Sequence, residues 1–276
     1  MKFRWWRRLN WAEYGAEFLG TAFLIVAGLS AVVFNLGKNS PVEQIIPSKG
    51  GRLMLTGLLF AGSASLFAIT PLGKLSGAHV NPVVSLAFWV QGKMYFLDAA
   101  GYIVAQFLDA IFGAVLIVAV WGDYAATVEY GATLPQPGYP LWYVFAVEVF
   151  TTFLLVLLIF IFVSSRRLMH WTPLMTWLLI ALTVRLTAPI TGTGLNPARS
   201  FGPALVYGFW REQWLYFVAP TLGAALSLVV FRLLYRSKRE VLTGKLFHVP
   251  HYRCIYRECK ALHYPRRPIK FPVIDE

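Results

Sequence analysis

The sequence predicts an all-α membrane protein: six transmembrane helices plus two re-entrant half-helices, arranged as an inverted repeat. Three observations predict it. The chain is 57% hydrophobic and only 14% charged, where a soluble domain carries about 25% charged residues. Six apolar runs approach the ~20 residues that cross a bilayer. One short pattern also occurs twice, as Ser76-Gly77-Ala78-His79-Val80-Asn81-Pro82 and as Thr191-Gly192-Thr193-Gly194-Leu195-Asn196-Pro197.

Residues 1–12 form a basic N-terminus with Lys2, Arg4, Arg7 and Arg8 and no acid. The spans read as residues 14–34, 53–70, 96–120, 142–163, 173–189 and 214–235. The first apolar stretch lacks a cleavage-site pattern, so it reads as span one and not as a signal peptide. Span one carries Glu17 and span four carries Glu148, in segments that look like copies of each other. Gln106 follows Asn81 in span three much as Pro220 follows Asn196 in span six. The membrane domain, 13–236, therefore divides into one repeat over 13–120 and another over 141–236. Three spans per repeat is an odd number, which inverts the second repeat relative to the first.

Each Asn-Pro pair opens a short apolar run, 83–90 and 198–206. Asn caps helices well and proline suits the first helical position. The runs are too short to span, so each reads as a half-helix entering the membrane. Irregular backbone at that depth survives only where it is buried or lines water.

Charge placement sets the expected orientation. Residues 232–276 hold eleven basic and four acidic residues, Arg166 and Arg167 lie between spans four and five, and the 122–140 loop has acids but no base. The positive-inside rule then puts both termini in the cytoplasm of a cell membrane. The mildly basic 35–52 loop points the other way. Basic ends beside membrane spans suit an anionic lipid surface, not nucleic acid. Residues 237–276 read as a basic, partly extended cytoplasmic tail. Its His248, His251, Cys254, Cys259 and His263 fit no standard zinc spacing, so no metal and no cofactor is expected. On the cytoplasmic side a disulfide is not expected either.

Gly-Ala-His-Val-Asn-Pro and Gly-Leu-Asn-Pro-Ala-Arg-Ser-Phe-Gly resemble the two signature loops of the aquaporin, or major intrinsic protein, family. The resemblance runs from about Glu13 to Tyr235. It implies a passive channel for water and small neutral solutes, assembled as a homotetramer. Two half-helix N-termini meeting at the midplane focus roughly half a positive charge each. There Asn81 and Asn196 donate to a passing oxygen, with Val83 and Ala198 beside them at the pore midplane; Val83, bulkier than the Ala usual there, adjusts either the pore shape or merely the packing. A water held so reverses the hydrogen-bond chain, which blocks proton hopping, while cations meet a positive barrier.

The resemblance also places the narrowest filter at Ala61, Val184, Thr193 and Arg199. Strict water channels usually carry an aromatic residue and His at the first two. Ala and Val imply a wider, greasier opening, similar to the plant subgroup that passes boric acid. Ser200, Ala204, Tyr216 and Phe217 instead resemble the water-selective side, so a strict water channel stays open as an alternative. Phe60 adjoins Ala61 and Arg185 adjoins Val184, and a one-residue slip would exchange them. The first motif reads Asn-Pro-Val where Asn-Pro-Ala is usual.

Other residues carry two readings each. A carboxylate inside a membrane is costly; Glu17 and Glu148 are either proton relays or acceptors for unpaired loop N–H groups, and the second is favoured. His79, near the cytoplasmic entrance, is a pH gate or a fixed wall hydrogen-bonder. Asp109 lines an interface or cavity, or bonds a neighbouring span. No nucleophile with a paired base lies in the membrane part, which argues against an enzyme. A secondary transporter shares broken helices and inverted repeats, but few coupling-ion ligands are available. A structural membrane junction protein with slow conduction is the third class.

Overall fold

A computed structural model describes residues 9–235, 241–249, 252 and 254–256. Eleven α-helices occur among them, with no strand. Six are long and apolar enough to cross a membrane: α1 (Trp11–Leu36), α3 (Lys49–Ile69), α6 (Phe96–Trp121), α8 (Leu141–Val163), α9 (Thr172–Thr191) and α11 (Leu215–Leu234). At about 1.5 Å per residue even α11, with 20 residues, reaches about 30 Å, the thickness of a bilayer's apolar core. The two half-helices are α5 (Pro82–Val90) and α10 (Pro197–Tyr207). They are 9 and 11 residues long, so each reaches about half that depth. Short helices α2 (Pro41–Ile45), α4 (Pro71–Ser76) and α7 (Asp123–Ala126) complete the set.

The helices pack in the pattern of a repeat. α1 lies against α3 and α6, and α8 against α9 and α11. α3 and α9 join the two halves, and α10 inserts against α6. Small residues permit the close approaches, as membrane helix contacts require. A Cβ on Gly202 of α10 would stand 2.2 Å from the Ala110 carbonyl oxygen of α6. Exposed Leu, Val and Phe side chains cover the outside of the spans, as lipid contact demands. Arg185 is exposed on α9, pointing away from the bundle interior lined by Val184.

Two expectations about the C-terminal segment fail. Residues 241–249 are not a free extension: Val241, Thr243, Lys245, Leu246 and His248 are buried against the end of the bundle. A basic, partly extended tail is what the composition suggests, but the charged Lys245 finds backbone carbonyls of the bundle. Cys254 is disulfide-bonded, against the redox expectation; its partner lies outside the described residues, as do His251, Cys259 and His263. No His, Cys, Asp or Glu group able to hold a metal occurs among the described residues.

Asp109 sits within α6 and is buried, yet neither carboxylate oxygen has a hydrogen-bond partner. It makes no bond to a neighbouring span.

Candidate functional site

The half-helices start where the sequence motifs place them, and each Asn does two things. Asn81 Oδ1 accepts from Val83 N at 3.0 Å, and its Nδ2 donates to Leu195 O in the other loop at 3.1 Å. Asn196 Oδ1 accepts from Ala198 N at 3.0 Å and Arg199 N at 3.3 Å, and its Nδ2 donates to Val80 O at 2.8 Å. The backbone N–H groups thus fix which end of each amide faces the partner loop. An amide nitrogen carries two hydrogens, so each Asn retains one after its loop contact. Both Asn residues border a cavity of about 490 Å³ that runs inside the bundle.

The loops before the half-helices are wound alike. Ala78, Val80, Thr193 and Leu195 all take positive φ, between 42° and 57°. These lie three and one residues before each Asn. Non-glycine residues in that region are strained, and such strain persists only where the surroundings over-determine it. Here the determinants are visible. Glu17 accepts from His79 N at 3.0 Å, Val80 N at 2.8 Å and Gln106 Nε2 at 2.9 Å. Glu148 accepts from Gly194 N at 2.8 Å and Leu195 N at 2.9 Å. Tyr102 and Tyr216 donate to the carbonyls of Ser76 and Thr191, at 2.7 and 2.6 Å. With their oxygens occupied by loop donors, the two carboxylates are anchors.

Ala61, Val184, Thr193 and Arg199 all border the cavity. Thr193 Oγ1 stands 3.0 Å from Thr187 Oγ1. Arg199 is buried, and its Nη1 has no hydrogen-bond partner in the protein. Its guanidinium carbon lies 5.4 Å from the centre of the Phe60 ring, within cation–π range. Phe60 also borders the cavity, and its ring occupies the space that a Cβ on Gly28 would fill. So Phe60 and Ala61 both contribute wall, while Arg185 does not. Val83 and Ala198 are placed differently from the expectation. Both are buried in core clusters and neither borders the cavity. On a helix opened by Asn, the residue two positions on offers its N–H to the cap and turns its side chain into the packing.

The two mouths differ. One is bordered by the 127–136 loop, where Thr127, Glu129 and Gln136 line the cavity. Gln213 Nε2 holds that loop through Thr133 O at 2.8 Å. The other, next to α4 and His79, is met by residues 241–249. His79 stacks on Phe88 and its Nδ1 is 3.1 Å from Ser85 Oγ. Its Nε2 is 2.7 Å from the Gly244 carbonyl oxygen. Leu246 borders the cavity here. The sequence offers Phe60 only as the alternative to Ala61, whereas both border the cavity; the contacts of residues 241–249 and Tyr256 with the bundle have no periodic or motif signal.

Known proteins are similar along most of the chain. The family model for Major intrinsic protein matches residues 4–231. Aquaporin AqpM of Methanothermobacter thermautotrophicus is 34% identical over 234 residues, covering 79% of this chain and 95% of the relative. Aquaporin Z of Rhodopseudomonas palustris is 32% identical over 246 residues, with coverage of 86% and 98%. Aquaporin NIP3-1 of Arabidopsis thaliana is 33% identical over 230 residues, with coverage of 81% and 68%. The X-ray structure of the aquaglyceroporin from Plasmodium falciparum superposes with a TM-score of 0.64 at 23% identity, covering 80% of this chain and 94% of that one; this is a likeness of fold. With its paired Asn-capped half-helices, carboxylate-anchored loops and six spans, the chain belongs to the major intrinsic protein family.

Proposed function

We propose that the chain is a passive membrane channel that conducts water and small neutral solutes and excludes protons and ions. The observation that carries this reading is the pair of Asn amides on the cavity wall, each with its oxygen committed to its own helix and a hydrogen left for a guest. Such fixed donors, at the positive ends of two opposed half-helices, orient a water and break a proton wire. Ala61 and Val184 leave one side of the filter small and apolar, while Phe60, Thr193 and Arg199 supply the rest. That combination favours small neutral solutes such as boric acid or glycerol in addition to water. The family supports a homotetramer with one pore per subunit. The charge pattern supports a cell membrane with both termini in the cytoplasm.

The test is stopped-flow shrinkage of vesicles holding purified protein, with water, glycerol and boric acid compared. It is run on the full chain and on a variant whose 241–256 contacts are loosened. Water permeability well above that of empty vesicles, with no proton current, is expected in at least one of the two. Asn196→Asp should lower it at least about tenfold, a loss of 1.4 kcal/mol at the barrier. Flux that saturates at low solute concentration, or that follows a proton gradient, would instead make the protein a carrier.

A further inference from the structure

The mouth beside α4 is built to hold a peptide. α4 ends in a Gly77 with φ of 95°, and the carbonyls at its C-terminus are the negative end of the helix. Lys74, Leu75, Ser76 and Gly77 each present a carbonyl oxygen there, and all four are taken by residues from beyond position 241. Lys245 Nζ donates to Lys74 O at 2.5 Å and Leu75 O at 3.0 Å. Leu246 N donates to Gly77 O at 2.9 Å. Tyr256 Oη donates to Ser76 O, the carbonyl that Tyr102 also reaches.

The seat is also shaped. A Cβ on Gly77 would stand 2.7 Å from Tyr256 Oη, and one on Gly244 would stand 2.3 Å from the Tyr256 ring. Leu242 N donates to Val163 O at 3.1 Å, at the end of α8. Phe247 meets His170 at 6.0 Å and Lys74 Nζ at 5.8 Å, and packs with Ala78 and Val80.

We infer that this mouth is a peptide-docking site whose occupant is the chain's own segment 241–256, and that the docked segment closes the pore. Closure follows from two contacts. Leu246 places an apolar side chain in the wall of the cavity that Ala78, His79 and Val80 also border. Gly244 O holds the His79 ring by its Nε2, so the one polar side chain of that loop end is bonded to the tail and not to a solute. The occupant is held by these hydrogen bonds to backbone carbonyls and by apolar burial, since Val241, Leu246 and Tyr256 belong to the main core cluster. The site selects a short cationic-apolar sequence: an ammonium for the helix end, then an apolar side chain for the cavity, with an aromatic hydroxyl from farther along. This inference rests on the channel reading above.

The experiment compares water permeability of vesicles containing the full chain with those containing Lys245→Ala/Leu246→Asp. Hydrogen exchange of residues 241–256 is measured on the same samples. Loss of protection and a rise in permeability of at least about fivefold are expected. A synthetic peptide of residues 241–256, added from the tail side, should lower the variant's flux again. Tyr256→Phe removes only one donor and should give a smaller rise in the same direction, which guards against misfolding of the double variant. Permeability equal in parent and variants, both well above empty vesicles, overturns the inference and leaves the channel reading standing. It does so whether the tail has left, because docking then does not close the pore, or stayed, because the named contacts then do not hold it. Permeability at the level of empty vesicles in every variant overturns the channel reading as well.

Discussion

The two Asn-Pro loops are nearly the same object built twice, and their differences are informative. Both wind through two positive-φ residues, both hang on a buried carboxylate, and both have a tyrosine hydroxyl on the carbonyl five residues before the Asn. Two positions before the Asn, the first loop has His79 and the second has Gly194. A Cβ at Gly194 would stand 2.7 Å from the Tyr216 ring and 2.9 Å from Glu148 Oε2. Three positions after the Asn, the first has apolar Val84 and the second has Arg199. The shared parts hold the midplane. The divergent parts equip the ends, with a histidine facing the tail at one and a cation facing the filter at the other. Symmetry therefore marks what the midplane requires, and asymmetry marks where each mouth has its own task.

The carboxylate anchors should break this equivalence most. Glu17→Ala strands His79 N and Val80 N and removes one of the two acceptors of Gln106 Nε2, which keeps Ser85 Oγ, whereas Glu148→Ala strands Gly194 N and Leu195 N. At about 1–3 kcal/mol for each stranded buried donor, the first should cost about 3 kcal/mol or more, the lost Gln106 bond included, and the second about 2. Thermal unfolding in detergent checks the order; equal losses would mean that the Gln106 bond adds nothing.

The filter end comes next. Ala61→Phe with Val184→His adds an aromatic wall and a ring donor near Arg199. Glycerol or boric acid flux per folded channel should fall at least about tenfold, equivalent to 1.4 kcal/mol at the barrier, with water changed much less. Equal solute flux in parent and variant would assign the narrowest point to Phe60 instead.

The tail end should respond to acid. Burial, with the Lys245 and His170 charges nearby, pushes the His248 imidazole down to about 4. A released tail would have an ordinary histidine near 6.5. Because the docked form binds fewer protons at His248, the contribution of this histidine to docking is undiminished above pH ~6.5, weakens as pH falls from there, and levels off below about 4. At pH 5 docking should be weaker by on the order of tenfold, and permeability should rise severalfold. His248→Gln should abolish that response; an identical pH profile in this variant would place the sensor elsewhere.

The smallest effect expected is none at all. Cys254 is disulfide-bonded and no free cysteine occurs among the described residues, so an impermeant mercurial added at the filter side should leave flux unchanged. Thr193→Cys, which puts a thiol on the cavity wall, should create block.

Most of the architecture was legible because its determinants are local. Long apolar runs located the spans, and Asn-Pro located the half-helices: the 83–90 run became Pro82–Val90 and the 198–206 run became Pro197–Tyr207. The filter positions follow from the family resemblance, and all four residues border one cavity. What stayed hidden depends on partners distant in sequence. Nothing around Lys245 announces that its ammonium will find Lys74 O, 171 residues earlier. Phe60 reads as an alternative to Ala61, and that both form wall is visible only with Gly28 and Arg199 beside it. Asp109 carries two readings in the sequence, and its buried carboxylate without a hydrogen-bond partner excludes the bond to a neighbouring span.

The crossed asparagine bonds have a consequence for how the protein is made. Asn81 donates to Leu195 O and Asn196 to Val80 O, across 114 and 116 residues. When the ribosome has finished the first half, Glu17 can already hold its loop, but the acceptor for Asn81 has not been synthesised. At about 5–20 residues per second, that amide waits several seconds or more for its mate. The first half is then an unfinished mould, and the second completes both at once, so neither repeat inherits a finished loop on its own.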